Sequence, residues 1–317
     1  MFMKVIFNRA VIALCRLIPP RLAAHLLFLL RMNPKITDRW GYHIRPIHYY
    51  EPLPDFASIT PSATQCRRLS TAIEFGLPAQ IDLTQRLGSR YGAELQVLAR
   101  PLGSPGFDFK NEYFSHLDAA FYYSLLRELK PQRVIEIGCG YSTRLADQAL
   151  QLNRAEGHQV ILTCIEPYPE ARLTDAKLNI ELIQRPLEKV SLDFFRQLRS
   201  GDVLFVDSSH AVKFQSDVCR AFLEIFPLLP VGVWIHIHDV FLPFDYPIDW
   251  LTEKRLAFNE QYILEAFLAF NTYFSPQCAL QWLWRDYEQT IRQYWPAEVL
   301  PTSDGLGAAS FWMKRSN

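Results

Sequence analysis

The 317-residue sequence predicts an α/β protein built on a doubly wound, mostly parallel sheet, preceded by a helical and irregular N-terminal extension. Three observations carry this. From about residue 111 onward, short apolar runs alternate with helical stretches, the order that lays helices over both faces of a parallel sheet. The runs are continuously apolar, as strands covered on both faces are. Several end in a glycine turn or in an acidic or imidazole side chain, and ligands of such sheets bind outside the carboxyl ends of the strands.

Taken in order, RVIEIG (133–138) is the first strand and is followed by a helix near Thr143–Ala155. QVILTCIE (159–166) and IELIQ (180–184) come next, then a helix over about 188–199 and the strand DVLFVD (202–207). A helix near Val212–Leu229 leads to VGVWIHIHD (231–239). The tail differs: a helix near Glu260–Asn271 precedes two strands, about 277–284 and 308–315, joined by a long excursion that allows an antiparallel pair.

Upstream, residues 1–37 form a basic amphipathic helical segment and residues 38–110 a Pro- and aromatic-rich extension that packs on the body formed by 111–317. Residues 1–37 contain Lys4, Arg9, Arg16, Arg21, Arg31 and Lys35 and no acid. The rest of the chain therefore carries 27 basic against 33 acidic residues. The apolar runs Val11–Cys15 and Leu22–Leu30 are far shorter than the roughly 20 residues of a spanning helix, and Arg9, Arg16 and Arg21 interrupt the unbroken apolar stretch a secretory leader needs. Two short helices broken at Pro19-Pro20 can rest on an anionic membrane surface, or pack on the body or on a second copy; packing is the commoner fate of such a segment. Over 38–110 no sustained periodicity emerges, and GYHIRPIHYYEPLPD (41–55) is too aromatic for a flexible linker.

Composition narrows the function classes. Hydrophobic residues make up 49% of the chain, enough for a large core, which excludes a disordered protein. The 33 Lys and Arg balance 33 Asp and Glu, so a general nucleic-acid binder is excluded. The six cysteines, Cys15, Cys66, Cys139, Cys164, Cys219 and Cys278, are scattered with no zinc spacing, which points to a reducing, cytoplasmic setting with free thiols.

The strand ends hold the chemistry. In VIEIGCGYST (134–143), Gly138 and Gly140 permit a tight turn and close backbone approach to a ligand, while Ser142 and Thr143 can cap the next helix, whose N-terminus suits a carboxylate or phosphate. Thr143 stands where a dinucleotide fingerprint needs its third glycine. The second strand ends in CIEPYPE (164–170), which places Glu166, followed by Pro167, where a ribose diol is held. VDSSH (206–210) ends the fourth strand and IHIHDVF (235–241) the fifth, so Asp207, His210, His238 and Asp239 come from adjacent strand ends. They suit a divalent metal or a general base. His236 shares a face with His238 and reads as structural.

Glu136-Ile-Gly138-Cys-Gly140, then Glu166, then Asp207, resembles class I S-adenosylmethionine-dependent methyltransferases over about 111–317. YSTRLA, VDSSH with Lys213 and Asp217, IHDVFLPFDYP, NEQY and SFWMK resemble a poorly characterised subgroup of them. The resemblance implies a seven-stranded sheet with the last strand antiparallel. It implies Glu136, Gly138 and Gly140 around the methionine part of S-adenosylmethionine, Glu166 on its ribose, Pro186 and Leu187 beside adenine, and Asp207 at the reacting centre. Asn111, Tyr113 and Asp118 would close over the cofactor.

The reading is methyl transfer to a small-molecule acceptor, with oxygen preferred. Asp207, His210 and Asp239 are the candidate catalytic groups, and Asp207, His238 and Asp239 the candidate metal ligands. Metal-dependent small-molecule O-methyltransferases resemble this arrangement but show Asp-Asp or Asp-Asn where this chain has His238-Asp239. The loop FLPFDYPIDW (241–250) and FNEQY (258–262) offer Tyr246, Trp250, Asn259 and Glu260 to the acceptor. A non-catalytic scaffold that keeps the cofactor fold is the competing reading, and retention of Asp207, His210 and Asp239 argues against it.

Overall fold

The computed structural model describes residues 17–65, 67–68, 71–99, 107–170, 173, 177–301 and 307–317. Lys4, Arg9, Arg16, Cys15 and Cys66 lie outside them. Two compact units are present, Met1–Ser58 and Ile59–Asn317. The first holds α1 (Pro20–Arg31) and a short helix, Pro34–Arg39. Both begin with proline in the first turn, where its missing N–H costs nothing. None of the residues of α1 is buried.

The second unit has a short helix, Pro61–Gln65, and then α2 (Leu77–Leu98) and α3 (His116–Leu129). Then come β1 (Arg133–Ile137), α4 (Tyr141–Ala155), β2 (Ile161–Ile165), β3 (Glu181–Ile183) and β4 (Val203–Val206). The helical run α5 follows (Asp217–Arg220, a π turn over Ala221–Ile225, and Phe226–Leu228), then β5 (Trp234–Ile237). The tail contains α6 (Glu260–Leu268), β6 (Phe274–Ala279), α7 (Leu280–Asp286), α8 (Glu288–Tyr294) and β7 (Phe311–Arg315). The seven strands lie in the order 3-2-1-4-5-7-6, with β7 antiparallel to both neighbours and β1 to β5 mutually parallel.

Strand alternation divides the core. Val134, Leu162, Val203, Phe205 and Trp312 face α2, α3 and α4, while Ile135, Ile137, Leu204, Val206, Ile235 and Met313 face α5 and α6. Polar side chains that alternation turns inward must find partners there. His236 is one: fully buried, it meets Ser310 Oγ at 2.8 Å and stacks on Phe205 at 3.9 Å between ring centres.

Four elements differ from the sequence reading, the first being the helix expected over about 188–199, which is a 3-10 turn at Leu187–Lys189 and a single helical turn at Leu192–Phe195. The 22-residue helix α2 runs through 77–98, where no periodicity was legible. Its buried stripe does repeat helically, as Gln80, Leu83, Thr84, Leu87, Gly88, Tyr91 and Leu95, but three of these are polar or glycine. Gln80 accepts a hydrogen bond from Ala279 N at 2.8 Å and Thr84 donates to Gln80 O at 2.8 Å, so polar side chains fill an apolar seam. The strand expected over 277–284 is β6 only to Ala279; at Leu280 the chain turns into α7, which buries Leu280, Trp282 and Leu283. The helix expected from Val212 starts at Asp217, because the Ser216 hydroxyl accepts from Cys219 N at 3.2 Å and caps it.

Candidate active site

At the carboxyl edge of β1, β2 and β4 lies a cavity of about 470 Å³. Gly138, Glu166, Pro167, Pro186, Leu187 and Asp207 line it, joined by Tyr168, Ser208, Lys213 and Asp217. Gly138 adopts φ +78°, and a Cβ there would fall 1.7 Å from the Asp207 carbonyl oxygen. The turn after β1 thus runs against the end of β4 so closely that only glycine fits. Glu166 accepts from Tyr168 N at 2.8 Å and from Cys139 N at 3.3 Å, which fixes its carboxylate at the cavity wall. The loop after β4 is held by Asp217, which accepts from Ser209 Oγ at 2.5 Å and from Ser209 N at 3.0 Å.

Glu136, Ser142 and Thr143 are placed differently from the expectation that they contact cofactor. Strand alternation turns Glu136 onto the α3/α4 face, fully buried, where Tyr122 OH donates to it at 3.0 Å and Thr143 Oγ1 at 2.5 Å. Ser142 also serves this carboxyl group. Thr143 Oγ1 in turn accepts from Gly140 N at 3.1 Å, so a buried network shapes the Gly138–Gly140 turn from behind. Burial pushes the Glu136 carboxyl up to about 7, against the hydrogen bonds that favour its charged form.

Beside the cavity, His210 gathers three carboxyl groups. Its Nδ1 meets Glu260 Oε2 at 2.9 Å, and its Nε2 lies 3.3 Å from Asp207 Oδ1 and 3.4 Å from Asp239 Oδ2. Burial opposes a charged imidazole, yet the three carboxylates outweigh it and raise the His210 pKa well above the ordinary histidine value. For Asp207 burial likewise disfavours charge, but His238 and His210 win and hold its carboxyl below the usual range. Both His210 and Asp239 have φ of +54°, a left-handed backbone that costs a side-chain-bearing residue about 1–3 kcal/mol.

The ligand atoms of Asp207, His210 and Asp239 all lie within 4.8 Å of one another, so a single cation could bridge them. The expected set Asp207, His238 and Asp239 does not converge in this way. His238 projects on the same face as His236, is buried against Phe114, and its Nδ1 stays 3.8 Å from Asp239.

Of the residues expected at the acceptor, Tyr246, Trp250 and Glu260 are buried and Asn259 is half-buried. Tyr246 and Trp250 pack with Phe241 and Ala309 in a buried cluster, and Tyr246 OH accepts from Gln261 N at 3.2 Å. Asn259 Oδ1 accepts from Val212 N at 2.6 Å, which pins a loop. Glu260 is 1% exposed and orients His210. Asp118 accepts from Ala309 N at 2.8 Å and Ser310 N at 2.9 Å, tying the entry of β7 to α3, away from the cavity.

Residues 135–240 match a family described as a methyltransferase domain. The match runs from β1 to just past β5 and contains every residue of the cavity and of the His210 cluster except Glu260. An uncharacterized protein of Archaeoglobus fulgidus is 28% identical over 170 residues, covering 49% of this chain and 74% of that one. Among solved structures, the plantazolicin methyltransferase BpumL with SAH is 13% identical, covering 76% of this chain and 97% of that one at a TM-score of 0.37. An O-methyltransferase from Bacillus cereus with SAH is 15% identical, covering 74% and 90% at a TM-score of 0.33. The strand order and the glycine turn after β1 make a Rossmann-like α/β sheet, within which residues 135–240 match a methyltransferase domain.

Proposed function

We propose that this chain moves the sulfonium methyl group of S-adenosylmethionine to an oxygen of a small-molecule acceptor. The observation that carries the reading is the double membership of Asp207: it lines the cavity and belongs to the carboxylate–imidazole cluster, so donor site and proton-accepting groups meet at one residue. The residues present fit that cofactor. The cavity has the volume of a nucleoside-sized ligand, Glu166 keeps lone pairs for ribose hydroxyls, Pro186 and Leu187 supply apolar walls for a base, and Gly138 gives the backbone approach. S-adenosylmethionine supplies the electrophilic methyl group.

This chain's own residues orient the acceptor and receive its proton. Glu260 accepts the Nδ1–H of His210, which leaves Nε2 facing Asp207 and Asp239 as the atom that takes up a hydroxyl proton. The three surrounding carboxylates make that imidazole a strong base, present in its neutral form only above the ordinary histidine range. Methyl transfer should accordingly rise with pH through a value above that range.

The convergence of Asp207, His210 and Asp239 favours a second reading, in which these three hold a divalent cation and His210 gives Nε2 to it. A mixed nitrogen and oxygen set suits manganese, iron or zinc, and the cation would lower the acceptor hydroxyl pKa as a Lewis acid. The Glu260–His210 contact then becomes the carboxylate–histidine support typical of metal sites.

The test is transfer of labelled methyl from S-adenosylmethionine into a small-metabolite mixture by the full chain. Label in the low-mass fraction is expected; no transfer, or label only in protein, contradicts the reading. With the base, His210→Ala loses about 10²–10⁴-fold in rate and chelator has no effect. With the cation, chelator abolishes transfer, divalent ions restore it, and Asp239→Asn is nearly inactive.

A further inference from the structure

The unit Met1–Ser58 displays an apolar and aromatic surface on a positively charged segment. In α1, Leu22, Leu26, Leu27, Phe28 and Leu29 are all exposed, Leu27 to 51% and Phe28 to 55%, and Leu17, Met32 and Ile36 continue the exposure on either side. Among the described residues of this unit, none of those in α1 is buried. Trp40, Tyr42, Tyr49 and Tyr50 are also exposed, the last two to 81% each. Glu51 lies 3.8 Å from Arg31 and 3.7 Å from Arg45, which ties the aromatic segment to the end of α1.

Charge is sorted along the sequence in the same way. Residues 1–50 hold eight Lys and Arg against the single acid Asp38, so residues 51–317 are left with 25 basic against 32 acidic residues. A chain that is neutral overall thus concentrates seven net positive charges in its first 50 residues, four of them within 17–50, where leucine and aromatic side chains are exposed. Isolated exposed leucines need no explanation, but a short amphipathic helix that sets Arg21, His25 and Arg31 against leucines, and is followed by Trp and Tyr, has the composition of an interfacial anchor.

We infer that residues 17–50 dock on the surface of an anionic lipid bilayer. The helix α1 lies in the headgroup plane: its 12 residues reach about 18 Å, too short for the roughly 30 Å hydrocarbon core. Among the described residues no helix is long and apolar enough to cross a membrane. Leucine and Phe28 enter the acyl boundary, Trp40 and the tyrosines sit at headgroup level, and Arg21, Arg31, Lys35, Arg39 and Arg45 face lipid phosphates. The occupant is identified by charge: a second copy of this segment would bring like charges together, whereas an anionic surface neutralises them.

The test is co-sedimentation of the full chain with vesicles of phosphatidylcholine alone and of phosphatidylcholine mixed with phosphatidylglycerol. Binding is expected to the mixed vesicles, weakened by high salt. Arg21→Gln/Lys35→Gln/Arg39→Gln should bind about 100-fold more weakly, at roughly fivefold per cation. Leu27→Glu/Phe28→Glu should lose more than about tenfold, with circular dichroism and thermal melt unchanged for both variants. Equal binding to neutral and mixed vesicles, or undiminished binding by either variant, overturns the proposal. So does a dimer in analytical ultracentrifugation that Leu27→Glu/Phe28→Glu dissolves while the wild type ignores vesicles, since that assigns the face to a second copy.

Discussion

Glu136 shows how a residue can be right in kind and wrong in role. The acid before a strand-end glycine turn is easy to see, but its direction is decided by strand alternation, which sends it onto Tyr122 and Thr143. Its carboxyl group is raised to about 7 by burial, so the folded chain keeps this proton to a higher pH than the unfolded chain does. Stability from the group is therefore complete below its ordinary value of 4.5 and falls as pH rises through about 7. Glu136→Gln should remove that decline. Chemical denaturation across pH 5 to 8 should show the variant gaining on the wild type, on the order of 2 kcal/mol by the upper end. Parallel curves for the two proteins would mean the carboxyl is already ionised in the fold. Gly138 and Asp207 were legible from the strand-end pattern alone; the pairing of Glu260 with His210 was not, because 50 residues separate them and only the fold closes that distance.

At the scale of elements, the apolar runs of β1 to β5 announced themselves because strands buried on both faces admit little else. The helix α2 escaped notice because Gln80, Thr84 and Gly88 occupy its buried stripe, and Gly88 does so under Trp295, where a Cβ would meet the indole at 2.8 Å. The tail misled at α7, whose Trp282 and Trp284 are strand formers by propensity, and packing against the sheet overrides that preference. The clamp between α3 and the entry of β7 rests on one residue. Asp118 accepts two buried backbone N–H groups, so Asp118→Ala leaves both without a partner. A loss of about 2–4 kcal/mol is expected in urea unfolding. An unchanged midpoint would show that Ala309 and Ser310 find other acceptors.

Over the whole molecule, the charge-sorted N-terminal segment was visible in the sequence, whereas the exposure of its leucines needed the fold. The expected acceptor contacts Tyr246 and Trp250 failed for a similar reason: aromatic residues in a proline-rich loop can line a pocket or fill a satellite core, and here they fill Phe241's cluster. The second unit centres on the crevice at the strand ends, where Asp207 belongs both to the cavity around Gly138 and Glu166 and to the His210 cluster. The most direct measurement is titration calorimetry of the full chain with S-adenosylhomocysteine, alongside Glu166→Ala and NAD. The wild type should bind S-adenosylhomocysteine and ignore NAD, and Glu166→Ala should weaken binding by about 1–3 kcal/mol, the loss of a charged hydrogen-bond acceptor. Binding of NAD in its place, or full affinity in the Glu166 variant, would contradict the assignment of this cavity to the methyl donor.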